Sequence, residues 1–495
     1  MKKNHLLLFV LMVVVALSSC TNKDYQKAIP ANATLVMKVD VNSISEKADF
    51  KNSKVKFMLD AALASMAKSE DVKGMKEYMN DPQKMGFDLS MPLYLFMVGE
   101  ETVGLTMKMG DEGDVKDFLM WLNKQGAASK PIEKDGLACG TLMDDIHYAY
   151  DSKTFLMLAS LKGQTKANTS RMVRELMSLK DADSFSSTEA FSRMDGEDGD
   201  VVAYTNGKVL GKDILAEMKK GLMPSSLDAN EMDALLELNF EDGKASFTTK
   251  IWGKTEKAQA LIDEADKNFS KIEGKYLDRV ADNMYVWIGT NVKGEWALGK
   301  LKEMQSVKEA LFMMERAIDI EQMLKAVDGD MAFELQIDDL ENGQEPEYIF
   351  YGDLKNSDFL ADVEDWTKTM TDYGMTMEEK GKNQYVLTMD DASYQWGVQD
   401  KDLYFSSLGV KTKNKGTSPL AAYKDDIQKN KFYAVMDLTR IPWNTLVGQS
   451  PDMAVLKGAL GRLQSIVVKS ASTDEVTLTI ELKDKDENFL KQLLK

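Results

Sequence analysis

Two stretches of this chain repeat one pattern 246 residues apart. Glu133-Lys134, followed by Met143-Asp144-Asp145 and Tyr148-Ala149-Tyr150, returns as Glu379-Lys380, Met389-Asp390-Asp391 and Tyr394-Gln395-Trp396. Upstream, Asp114 matches Asp358 at an offset of 244 and Trp121 matches Trp366 at 245, each tryptophan within an amphipathic run. Short matches arise by chance, but collinear matches along two halves point to a copied unit. The chain therefore reads as two tandem homologous lobes, 30–273 and 274–495. Toward the ends the offset falls to about 230, as Val201 to Tyr204 against Phe432 to Val435 show, so the second copy has lost a piece. The loss falls in the helical region Gln164 to Ser192, whose counterpart is only Lys415 to Lys429.

Within each half, strands follow one another without helices between them. Leu93 to Val98 and Val103 to Met109 form a hairpin around Gly99-Glu100-Glu101. Residues 137–159 hold three more strands, broken at Asp144-Asp145 and Asp151-Ser152-Lys153. Such connections require a largely antiparallel sheet. Runs of period 3.6, such as Val307, Ala310, Leu311, Met314 and Ile318, carry one apolar stripe and cover one sheet face. The fold class is α+β.

The first nineteen residues form a leader. Lys2 and Lys3 precede an apolar run from Leu6 to Leu17, too short to span a bilayer but suited to a signal peptide. Leu17-Ser18-Ser19-Cys20 then resembles a bacterial lipobox, in which Cys20 becomes the acylated first residue. Residues 1–19 are thus the signal peptide, and 20–29 the lipidated cysteine with a tether whose extended reach is roughly 30 Å. Losing Lys2 and Lys3 takes the formal net charge from −18 to −20. That sign argues against nucleic acid and against a body lying flat on anionic lipid.

Scarce residue types exclude much chemistry. Two histidines and two cysteines leave only His147 and Cys139 beyond the leader and anchor, so zinc sites built from several such ligands are ruled out. His147, in the alternating run Ile146 to Tyr150, reads as a polar residue on the solvent face of a strand, with Ser393 as its counterpart. Cys139 reads as a small apolar side chain. Asp144, Asp145, Asp390 and Asp391 read as turn residues, because neighbours on extended backbone face opposite ways and cannot easily share an ion. They are also the only candidate base or metal ligands for a carboxylate hydrolase. The acidic runs Asp195 to Asp200 and Asp328 to Asp330 read as turns before strands. The 33 methionines, among them Met58, Met66, Met75, Met79, Met313, Met314 and Met323, read as core filling. No phosphate-cradling glycine motif is present, and no cofactor is implied.

The lipobox, the opening Pro30-Ala-Asn-Ala-Thr-Leu-Val-Met-Lys-Val-Asp40 and the Met-rich acidic body resemble an uncharacterised family. Its members are lipoproteins of the Bacteroidetes cell envelope, carried as a domain of unknown function. The resemblance implies a Gram-negative envelope, a gut or oral commensal source and an outer-membrane address, and transfers no catalytic residue. Thr21 to Asp24 lacks a dense acidic run, so both the periplasmic and the surface face stay open. The expected function is a non-enzymatic binding or structural role toward an envelope protein or glycan, with a cleft between the lobes as the natural ligand site. The alternative is a hydrolase using the four aspartates.

Overall fold

The computed structural model describes residues 24–494, apart from 54–55, 58–73, 75–76, 79, 100, 144, 162–165, 208–227, 305–306, 309–310, 312–317, 339–344, 373, 390–391, 413–417, 442 and 444–457. Asp144, Asp390, Asp391, Cys20, the leader, and Met58, Met66, Met75, Met79, Met313 and Met314 lie outside the described residues.

The chain divides into two compact units, though not at 273/274. The first holds 1–209, 233–247 and 484–495; the second holds 210–232 and 248–483. In the first, strands β1 (Leu35–Val39), β2 (Leu93–Val98), β3 (Thr102–Lys108), β4 (Ile132–Lys134), β5 (Leu137–Leu142), β6 (Ile146–Tyr150), β7 (Thr154–Ser160), β8 (Val201–Asn206) and β9 (Met232–Glu241) pair antiparallel in the order 9-8-1-2-3-7-6-5-4. Strand β10 (Lys244–Gly253) follows as the hairpin partner of β9, and the division falls inside it, after Phe247.

The second unit opens with the two-residue β11 (Phe269–Ser270) beside β12 (Met284–Lys293). Then come β13 (Val327–Gln336), β14 (Glu347–Leu354), β15 (Thr376–Gly381), β16 (Gln384–Met389), β17 (Ala392–Gln399), β18 (Asp402–Ser407), β19 (Phe432–Asp437), β20 (Leu463–Ser472) and β21 (Glu475–Leu482). Their order is 21-20-19-12-13-14-18-17-16-15, again antiparallel throughout. The fold is α+β, and nine strands of each unit run in the same sequence of neighbours.

Pairing registers place Thr106↔Leu156↔Ala149 in one unit where Tyr351↔Tyr404↔Gly397 stands in the other. On this ladder His147 shares a rung with Gln395, not with Ser393. The hairpins explain the difference: Leu142 pairs with Ile146 across three residues, whereas Met389 pairs with Ala392 across two, and β17 starts earlier on the ladder. A two-residue slip keeps every side chain on its own face, so pattern matching does not detect it.

Helices cover the sheet faces. In the first unit α1 (Glu112–Lys124) is capped by Asp111, which accepts from the Asp114 amide at 3.0 Å. Its stripe Val115, Phe118, Leu119 and Leu122 packs on Leu105, Met107, Tyr148, Tyr150, Phe155 and Met157. Helix α2 (Lys166–Met177) lies on β6 and β7, burying Val173 and Leu176. In the second unit α3 (Val363–Asp372) takes the place of α1, setting Val363, Trp366 and Met370 against Leu387, Trp396, Val398 and Leu403. The opposite face there is covered by Ile272, Tyr276, Leu277 and Val280 and by Leu420 and Ile427. Between β18 and β19 the described residues form only a 3-10 turn, Ala421–Tyr423, and the four-residue helix Lys424–Ile427. Nothing among them matches α2.

Candidate functional site

The ladder positions under α2 in the first unit floor an open cleft in the second. Its volume is about 460 Å³, and it is lined by Ile349 and Tyr351 on β14, Gln395 and Gln399 on β17, Asp402 and Tyr404 on β18, the turn residue Asp400, Arg279, Val410 and Thr412. That size falls in the range of small-ligand sites.

One wall is the segment Ile272 to Ala281. The buried Asp330 carboxylate accepts from the amides of Glu273, Gly274 and Lys275 at 2.9, 2.8 and 3.0 Å, and from Asn291 Nδ2 at 3.0 Å. Gly274 takes φ +87°, which lets three successive amides turn toward one carboxylate. At the other end Glu334 Oε1 accepts from the Ala281 amide at 3.0 Å. Between these anchors the Tyr276 ring stacks on Tyr351, with centroids 4.9 Å apart and planes at 12°. The Arg279 guanidinium lies 5.3 and 5.2 Å from the two ring centres and holds Asp402 at 2.5 Å. Lys275 reaches Asp402 at 2.6 Å and Asp353 at 2.7 Å, and the Tyr276 hydroxyl donates to Asp402 at 3.2 Å.

The electrostatics follow from that packing. Burial pushes the Tyr351 hydroxyl up to about 12. Burial, then the Asp402 charge, raises Tyr276 further. Burial opposes the Lys275 ammonium, but its bonds to Asp353 and Asp402 prevail and hold its pKa above the usual value. Glu334, 2% exposed, is pushed up to about 7 by burial, against the stabilising bonds from Ala281 and Gln336. Gln336 joins Glu334 to the opposite wall: its Nε2 donates to Glu334 Oε1 at 3.0 Å and to the Lys411 carbonyl at 2.6 Å, and its Oε1 accepts the Lys411 amide at 2.9 Å. Lys411 stands between Val410 and Thr412.

The residues singled out in the sequence lie elsewhere. Asp145 is exposed on the turn before β6. Asp328 to Asp330 belongs to β13 rather than to a turn, and Asp330 clamps the segment described above. Asp200 is likewise buried, bound by Lys47 at 2.7 Å and the Phe240 amide at 2.7 Å. His147 is not on a solvent face: it is only 7% exposed, because α2 crosses that side of β6. Beside it Cys139 is half-buried, its thiol raised by burial and lowered in part by Arg174. Both line a second cavity of about 660 Å³ with Lys134, Arg174, Ser170 and Ser129. Trp252, Trp287, Trp366 and Trp396 are buried, as are Met107, Met109, Met157, Met194 and Met370. Among the described residues no group of three His, Cys, Asp or Glu side chains is placed to hold a metal, and no helix is long and apolar enough to cross a membrane.

Arg279, Tyr351, Gln395 and Gln399 were not singled out in the sequence, since each is ordinary alone. The signal that leads to them is the shortened stretch 415–429.

No curated protein matches the sequence. Among solved structures, the chain is similar to crystal form IV of TP0453 at 10% identity and a TM-score of 0.28, over 47% of this chain and 81% of that one. A likeness that slight guides neither the fold nor the site. Residues 25–490 match a family of unknown function, and the chain belongs to it: Domain of unknown function (DUF4836).

Proposed function

We propose that this protein is a non-enzymatic binding protein of the cell envelope, anchored in the outer membrane through acylated Cys20, and that the cleft of the second unit receives its partner. The observation that carries the reading is the contrast between matching strand faces: α2 roofs one, while its counterpart lies open and lined with polar groups. Two or more acyl chains on Cys20 would give a firm anchor. The tether is shorter than the expected 20–29, because Asp24–Ala28 forms a 3-10 helix with Tyr25, Gln26 and Ala28 buried, and a shorter tether would hold the body nearer the membrane. The shared order of nine strands supports descent of both units from one ancestral unit. A labelled palmitate feed tests the anchor: the wild-type chain takes up label and sediments with membranes, and Cys20→Ser does neither. A photo-crosslinking residue in place of Gln399 tests the cleft in intact envelopes. Light-dependent adducts are expected there and not from the same residue at Glu112, on the exposed side of α1.

A further inference from the structure

We infer that the cleft of the second unit binds a neutral oligosaccharide; this rests on the binding role proposed above and names its ligand class.

The first argument is charge. The two cations of the wall, Lys275 and Arg279, are matched by Asp353 and Asp402 at 2.5 to 2.7 Å. Asp400, exposed at the rim, then leaves the lining with an excess negative charge. Among the described residues of the lining, a phosphate, sulfate or uronate would meet no uncommitted cation and one repelling carboxylate.

The second argument is the hydrogen-bond inventory. Among the described residues, the Gln395 and Gln399 amides and the Thr412 hydroxyl make no hydrogen bond within the protein. Each amide offers donors and an acceptor side by side, and a sugar hydroxyl both gives and accepts. Gln395 and Gln399 project to the same side of β17, four residues or about 13 Å apart. A single pyranose does not bridge that distance; an oligosaccharide does. The half-buried Tyr404 ring lies between them on the neighbouring strand, opposite Gly397, and offers a surface for the C–H face of a sugar.

The third argument weighs against a peptide. One common mode of peptide binding adds a strand to a free sheet edge. The cleft is floored by β14, β18 and β17, each already paired on both sides. The aliphatic lining is Ile349 and Val410, and Ile349 is almost fully buried, so little aliphatic surface is offered to a large apolar side chain.

The test uses the full-length chain in detergent and a panel of neutral trisaccharides (of glucose, galactose, mannose and N-acetylglucosamine), their monosaccharides, and sulfated and uronate-containing counterparts, titrated by calorimetry. At least one neutral trisaccharide is expected to bind saturably, about tenfold or more tighter than its monosaccharide. Raising the salt is expected to change its affinity little. Gln395→Ala with Gln399→Ala should weaken it by about tenfold or more, and Gln399→Arg, at an exposed position, should block it with folding intact by circular dichroism. Glu112→Ala should leave it unchanged. The inference is overturned if no neutral oligosaccharide saturates, if charged glycans bind better, or if the glutamine variants bind as the wild type does. Polypeptide adducts at position 399 with a silent sugar panel would retain the cleft as a site and discard the sugar. Neither adducts nor binding would discard both.

Discussion

His147 and Gln395 occupy the same rung of the same strand order, as do Leu156 and Tyr404, and Phe96 and Glu334. In the first unit the β6 and β7 positions of these rungs lie beneath α2. Leu156 and Phe96 are essentially buried, the Phe96 ring fills the space that a Cβ on Gly104 would need, and the outer rung of His147 borders the second cavity. In the second unit Ile349 replaces Gly104, a carboxylate replaces the Phe96 ring, a phenol replaces the Leu156 side chain, and the Gln395 amide replaces the His147 imidazole. One ladder thus lies beneath a helix in one place and floors an open cleft in the other, depending on whether the β18–β19 type of connection is long enough to bring a helix back across it. A sheet sets where side chains point; the connection decides what they face.

The largest effect expected from this contrast is in packing. Leu156→Ala opens a cavity beneath α2 and should cost about 3 kcal/mol in chemical denaturation. Tyr404→Ala, on the matching rung, should cost about 1 kcal/mol, since its ring is already half solvated. Equal losses would break the distinction between covered and open faces.

Next comes Glu334. Its folded pKa, about 7, lies above the unfolded value, so the native state holds the proton more tightly. The stabilisation is therefore complete below the unfolded pKa near 4.5 and is lost as pH rises through 7, by about 3 kcal/mol in all. Glu334→Gln keeps an acceptor for Ala281 without a charge. It should flatten the pH profile between 5 and 8 and stabilise the second unit at pH 8. A profile that stays as steep in the variant would remove Glu334 as the cause.

The smallest effect is in a turn. Asp400 and Lys401 both sit at positive φ, +50° and +70°, between the paired Gln399 and Asp402. Lys401→Gly should add about 0.5–1 kcal/mol by relieving that conformation. The corresponding turn of the first unit is held by Asp151 Oδ1, which accepts the Lys153 and Thr154 amides at 2.8 Å, so Lys153→Gly should add nothing. Thermal melts of the two variants check the pair.

Much of the architecture could be read from local pattern. The hairpin of β2 and β3, the three strands from 137 to 159 and the tryptophan-bearing helices all stand near where the periods put them, because alternation and amphipathicity report directly on which face is apolar. What escaped was tertiary. His147 looks like a surface residue in its own strand, and only α2, arriving from twenty residues downstream, buries it. The cleft residues escaped for the opposite reason: Gln395 and Gln399 are ordinary strand residues whose interest lies in what fails to cover them. The missing stretch near 415–429 was visible in the sequence, but its consequence appears only when the two ladders are laid rung on rung.

The first unit is finished by the far end of the chain. The C-terminal helix Phe489–Leu494 sets Phe489 against Phe240, with ring centres 6.2 Å apart. The Gly243 amide donates to the Glu487 carbonyl at 2.9 Å, and Asn488 Nδ2 donates to the Phe240 carbonyl at 3.1 Å. A polypeptide emerging amino end first therefore carries an incomplete leading unit until residues 484–495 are made, with 248–483 of the second unit made in the meantime. Late truncation should injure the earliest-made part of the molecule.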